Sequence, residues 1–441
     1  MKARLVPLYF NPGRDEDFDK QLGKLKELFK DEAEFLAPVE LGAKVPEAEA
    51  VVFPQMLGRA FSEYKKIAAV KLPKLIITCE FGTVLMWDWE IVNFLKMKGI
   101  PTICPSSLEQ SKMILRGLQS IRRLKSSKFV VFQDDPAGPT SKQKEIFKRF
   151  YWLEKESYAN LEKKYGMKIE VRSFAKLGKD AAAIADAEAE KVIKHYKLKD
   201  KCIGGKPLLS AAKLYLAVKK VYDEDPANTV CMGINCLNES HHCDTTPCLA
   251  WNLLWNEHKL IWGCEGDTMT LLTEYMVKNA LQIPFFMTNL YPFLMGKAAL
   301  AHERIPYFPK VDEPENYILL AHCGYFGLLP EEFATEWALR KRVLAMVDPN
   351  ATVIDARMAT GPITFAKIQP YLKKLSVSEA ELTGYVQYEN SDCLNGGIAK
   401  VKNGRGFVQS VASHHYIVMP GHQLANFKLL ETVYDIEVEE I

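Results

Sequence analysis

The stretch KLIWGCEGDTMTLLTEYMV, residues 259–277, runs from an apolar strand-like segment through two carboxylates into a helical one. Gly266, between Glu265 and Asp267, lets the backbone turn sharply from strand to helix. Asp267 stands directly before the helical run, where an acid serves as a cap or first-turn residue. Glu265 comes earlier, at the last strand position, from which a carboxylate points out of the sheet. In α/β proteins the carboxyl ends of strands are where ligands bind, so each acid is either a site residue or a helix cap.

Working outward, ARLVPLYFN and DEDFDKQLGKLKELFKDE form a first strand–helix unit, and short apolar runs such as EAVVFPQMLG and KLIITCEFG repeat the pattern. LMWDWEIVNFLKMKG reads as a helix closed by Gly before the strand IPTIC. A second pass starts at KFVVFQDDPAGPT. It continues through MKIEVRSFAKL, the charged Ala-rich helix DAAAIADAEAEKVIKHYKL and the strand NTVCMGINCL, and ends with the strand IPFFMTNLY. Alternation of this length implies parallel sheets covered on both faces. From YILLAHCGYFGLLP onward the runs are short and Gly-punctuated, which is antiparallel texture. The expected class is α/β: two doubly wound parallel-sheet domains, residues 1–125 and 126–295, and a β-rich, antiparallel, barrel-like C-terminal domain, residues 296–441.

The bulk chemistry excludes several function classes. Among 441 residues, 57 Lys plus Arg stand against 55 Asp plus Glu, and a net charge of +2 offers no electrostatic footprint for nucleic acid. No apolar segment approaches the ~18 residues of a membrane span, and the N-terminus turns acidic too early for a signal peptide. The ten cysteines sit in apolar contexts such as LIITCEFG and IWGCEG, the pattern of buried free thiols in a reducing compartment. The expectation is a cytoplasmic protein without disulfides.

Three histidines leave or enter strands downstream. His322 follows YILLA; His414 and His415 open SHHYIVMPGH, where strand alternation places one ring on each side. A Glu and two His from separate strand ends supply the mixed oxygen and nitrogen ligands of a divalent metal with open positions. The competing metal reading is CMGINCLNESHHCDTTPC, with Cys231, Cys236, Cys243, Cys248, His241 and His242 as zinc ligands, although VCMGINCL reads as a strand that buries its thiols. The phosphate-loop, dinucleotide and GxSxG fingerprints are absent.

TPCLAWNLLWNEHKLIWGCEGD, YILLAHCG, DARMATGPITFAKI and SHHYIVMPGH together resemble the L-fucose and L-arabinose isomerase superfamily, over nearly the whole length in domain order. The resemblance implies a catalytic divalent metal, Mn2+ or a similar ion, held by Glu265, by His415 (which fits the family's place better than His414) and by His322. The family's second acidic ligand falls on Asn289, which offers a neutral carbonyl oxygen but cannot act as a base. The implied reaction is aldose–ketose isomerisation through an enediolate, with Glu265 moving the proton and Asp267 as the nearest second acid. Gln55, Glu80, Trp87 and His414 are the expected substrate-binding residues. The Trp87 and Trp89 pair is read first as helix packing. The implied partners are a small sugar and further copies of the chain, as a trimer or hexamer. The alternatives are a sugar-binding or regulatory protein without turnover, with Asn289 as the relic, and a zinc-stabilised structural protein.

Overall fold

The computed structural model describes residues 1–11, 14–134, 150–201, 203–236, 242–293, 310–323, 325–342, 348–387 and 396–441. They form two compact units. The first comprises Met1–Lys125, Asn279–Gln282 and Ala425–Val438; the second comprises Ser126–Lys278, Ile283–Leu424 and Glu439–Ile441.

The first unit is built on a parallel sheet in the order Ala33–Phe35, Ala3–Tyr9, Ala50–Phe53, Lys74–Ile76. Every residue of Ala50–Phe53 is buried, as a strand covered on both faces requires. The helix Leu108–Leu124 starts where the Ser107 hydroxyl accepts the N–H of Gln110. Its Gly117 allows close approach: a Cβ there would lie 3.1 Å from Val433 and 3.2 Å from Leu430.

The second unit begins with a parallel sheet in the order Lys168–Arg172, Lys128–Phe132, Thr229–Ile234, Ile261–Cys264. The Ala-rich stretch expected as one helix is divided: Phe174–Ala182 runs into its first three residues and ends there, and Asp186–His195 starts afresh with Asp186 and Glu188 in its first turn. The C-terminal strands close an antiparallel six-stranded barrel. Its order is Gly361–Ile368, His415–Pro420, Phe286–Pro292, Tyr317–Ala321, Gly396–Val401, Lys374–Val386, the last pairing back to the first. The long strand Lys374–Val386 shifts register between Leu382 and Gly384, which bends it around the barrel.

One strand changes sheets relative to expectation. Phe286–Pro292, read as the last strand of the second parallel sheet, pairs antiparallel with Tyr317–Ala321 and His415–Pro420. A short, apolar-rich run fits either kind of buried strand, and only its partners decide. Between the parallel sheet and the barrel lies the helix Thr268–Met276, buried at all nine positions. The Thr273 hydroxyl on this helix accepts the N–H of Ile368, 3.1 Å away, which ties it to the barrel strand Gly361–Ile368. Among the described residues no helix is long and apolar enough to cross a membrane.

Candidate metal centre

The turn at residues 264–267 follows the sequence reading and sharpens it. Glu265 has φ +54° and Gly266 φ +63°, so two successive residues adopt the left-handed conformation. A Cβ on Gly266 would come within 3.0 Å of Leu153 and Val131. Left-handed backbone at a non-glycine residue is costly and collects at functional sites. Here it turns the Glu265 side chain out of the strand Ile261–Cys264 while burying it, at 6% exposure.

Asp267 is the N-cap of the helix Thr268–Met276. Its Oδ1 accepts the N–H groups of Met269 and Thr270, each at 3.0 Å. Its Oδ2 takes the Lys367 ammonium and lies 3.0 Å from His415 Nδ1. The cap reading of this acid is therefore met, and the same carboxylate also touches His415. With both oxygens engaged and no exposure, Asp267 orients His415 and has no lone pair left to move a substrate proton.

Beyond Asp267 the three ligand atoms converge. Glu265 Oε2 lies 3.5 Å from His415 Nε2 and 3.5 Å from His414 Nε2. These three side chains can hold a metal ion, since their donor atoms all lie within 4.8 Å of one another. Glu265 Oε2 and His415 Nε2 are buried without a hydrogen-bond partner, a condition that a cation between them would relieve. The donor set, one carboxylate and two imidazoles with a second carboxylate behind one ring, fits a divalent metal with outer-shell support.

The placement of the two rings corrects the alternation argument. His414 and His415 were expected on opposite sides of a strand, yet their ring centroids are 4.0 Å apart. The strand begins only at His415, so His414 lies before the pleat starts. Thus His414, expected against substrate, belongs to the ligand group and is its most exposed member.

Charge explains the protonation pattern. Burial pushes the Glu265 carboxyl up, but the His415 charge and then His414 overcome this and hold it below its ordinary value. Burial likewise raises Asp267, and Lys367 beside it brings the carboxyl down. Burial lowers His415, and the neighbouring Glu265 carries it above its ordinary value. His414 is lowered by burial and then by His415. Glu274, buried on the helix, is pushed well up by burial and by Asp267. Glu265 and Asp267 thus face Lys367 and the His415 ring, and a cation bound at Glu265 Oε2 would take the place of the proton on His415 Nε2.

The other expected residues fall out as follows. His322 is buried, and burial, then the charge of His415, lower its pKa to about 3, which leaves a neutral ring. It lies outside the three-residue ligand group. Asn289 is in register with His415 on one side and Ala321 on the other; its Oδ1 is buried without a partner, and its Nδ2 lies 3.4 Å from the Tyr291 hydroxyl. Gln55, Glu80 and Trp87 belong to the first unit. Gln55 Nε2 reaches both oxygens of Asp15 at 3.4 Å, and Glu80 is exposed. Trp87 and Trp89 are 76% and 64% exposed, so the helix-packing reading of this pair fails. The first of them occupies a short 3-10 turn, Met86–Asp88, and the second opens the following helix.

The zinc reading also separates. Cys231 is buried with its Sγ 3.9 Å from the Leu271 carbonyl, Cys236 Sγ lies 3.0 Å from Cys264 Sγ, and the Cys248 thiol is hydrogen-bonded with that of Cys323. These thiols turn to three different neighbours; His241 lies outside the described residues. Each of the eight described cysteines is a free thiol.

Sequence reading missed Lys367, Trp152 and Glu274. The Trp152 indole N–H donates to the Glu265 carbonyl at 3.1 Å, and its ring lies 5.3 Å from that of His415. A signal existed for two of the three: Lys367 and Glu274 each interrupt a segment that is otherwise apolar or small, GPITFAKI and TMTLLTEYM. No protein-family model matches the chain, and no curated protein matches it.

Proposed function

We propose that this protein is a metal-dependent aldose–ketose isomerase acting on a sugar or modified sugar, similar in design to the L-fucose and L-arabinose isomerases whose motifs the sequence resembles. The observation that carries the reading is the meeting of Glu265 Oε2 with two imidazole nitrogens in a buried pocket. Glu265, His414 and His415 are the residues to hold the ion, and the donor set suits Mn2+. When bound, such a cation supplies Lewis-acid stabilisation to adjacent sugar oxygens.

The chain's own residues account for the rest. Asp267 fixes the ring of His415. Glu265 is the carboxylate whose oxygen is not taken by the protein, and it is the group to carry a proton between C2 and C1; a positioned carboxylate contributes roughly 10² to 10⁴ in rate. Asn289 lines up beside His415 with a carbonyl oxygen free to meet a hydroxyl or the ion. The part-exposed edge of His414 marks the open side of the group.

A second reading, a sugar-binding protein without turnover, is favoured by one observation: Asp267 is fully engaged and Asn289 offers only a neutral oxygen, which leaves Glu265 as the free carboxylate. Incubation with Mn2+ and a panel of aldoses and ketoses in deuterated water separates the two. Interconversion with deuterium at C1 or C2 supports the isomerase. Saturable sugar binding without exchange supports the binding protein, and bound metal with neither outcome counts against both.

A further inference from the structure

We propose that Lys367 is a positioning residue for the metal centre, acting through Asp267 to present the bare Nε2 of His415 to the ion. The inference rests on the metal reading above. It concerns a residue outside the three-ligand group.

Lys367 and Asp267 form an ion pair with both side chains at 0% exposure. A buried pair of this kind is weak evidence for stability, because desolvation opposes the attraction, so its presence calls for another account. Geometry supplies one. Lys367 Nζ engages Asp267 Oδ2 and also the Thr270 hydroxyl, 2.5 Å away, and it stands 5.4 Å from the centre of the Trp152 ring. Asp267 Oδ1 is already held by two helix N–H groups. The carboxylate is therefore clamped at both ends and cannot rotate about its own axis.

A clamped Oδ2 at 3.0 Å from Nδ1 is an acceptor, so the neutral ring of His415 keeps its proton on Nδ1. The Nε2 lone pair then faces Glu265 Oε2 across 3.5 Å, in the place where a cation needs it. Carboxylate–histidine pairs of this kind raise ligand basicity and fix the tautomer. The lysine adds a further link: its strand, Gly361–Ile368, pairs with His415–Pro420, so the residue that fixes the carboxylate and the ring that the carboxylate fixes sit on neighbouring strands.

The test uses the full-length protein and Mn2+ alone. Lys367→Met keeps the length and removes the charge. Its Kd for Mn2+, measured by calorimetry or by the electron paramagnetic resonance of free Mn2+, is expected to rise about 10- to 100-fold. Nitrogen-15 shifts of His415, recorded on the metal-free protein at alkaline pH where the ring is neutral, are expected to show Nδ1–H in the wild type and a tautomer mixture in the variant. A merely structural role would leave the tautomer unchanged. Lys367→Arg is expected to retain Nδ1–H. Should Lys367→Met fail to fold, the charge-neutral double variant Lys367→Met with Asp267→Asn is expected to bind Mn2+ at least 10-fold more weakly. Binding within twofold of wild type in either folded variant, or Nε2–H in the wild type, overturns the proposal. A wild type that shows Nδ1–H but binds no divalent cation overturns the metal reading while leaving the tautomer control standing.

Discussion

Asn289 stands directly opposite His415 across two antiparallel barrel strands, in register, with its carbonyl oxygen buried and unpartnered. Asn289 is thus beside the ligand group and offers it a neutral oxygen. Asn289→Asp adds a negative charge beside Glu265 and His415. The variant is expected to bind Mn2+ about tenfold or more tightly, since affinity for hard cations rises with ligand charge. Without metal its melting temperature is expected to fall, and thermal scans with and without Mn2+ measure both effects.

Removing the central ligand has the opposite sign. Glu265→Gln is expected to weaken Mn2+ binding by at least the 10- to 100-fold typical of an outer-shell loss, and to abolish turnover. The folded-state pKa of Glu265 is depressed, so its contribution to stability is present above the unfolded carboxyl range and is lost as pH falls through the folded value. The stability gap between Glu265→Gln and wild type should accordingly narrow on acidification. Retained turnover in this variant removes Glu265 from the mechanism.

Metal affinity should depend on pH through a single ring. His415 titrates above its ordinary value because Glu265 outweighs the effect of its burial, while Glu265 stays ionised and His414 is lowered. Below the His415 titration, proton and cation compete for Nε2, and Mn2+ affinity is expected to rise about tenfold per pH unit; above it the dependence flattens. Calorimetry between pH 6 and 9 tests this, and a slope near two protons would implicate His414 as well.

Glu274 offers a test that needs no metal. Its folded pKa is raised well above normal by burial and by Asp267, so the native state binds a proton that the unfolded chain has released. Stability attributable to this residue is therefore present below the unfolded carboxyl range and falls as pH rises toward the folded value. Glu274→Gln copies the neutral form. Relative to wild type the variant should gain stability between pH 5 and 8 in urea titrations, with the gain increasing with pH. A constant difference across that range would show that Glu274 does not change its protonation on unfolding there.

The parallel sheets and the barrel were legible because their signals are local. Apolar runs such as AVVF and IWGC, followed by helical periodicity, identify buried parallel strands from composition alone, and Gly266 marks the turn that carries Glu265. The cap at Asp267 was equally legible, since an acid before a helix has few other places to go. Assignment of Phe286–Pro292 to a sheet was not: nothing within seven apolar-rich residues says which neighbours they meet.

The local chemistry at residues 264–268 and the candidate status of Glu265, His322 and His415 were thus settled by the order of residues, because caps, turns and strand ends are made by neighbours along the chain. Tertiary structure alone decided that His414 joins His415, that both oxygens of Asp267 are taken, and that Lys367 is fastened to Asp267, 100 residues earlier in the chain. Those outcomes depend on which strands close the barrel against the buried helix. Charge coupling among groups brought together in that way acts through space, and the residues that share it carry no mark of one another in sequence.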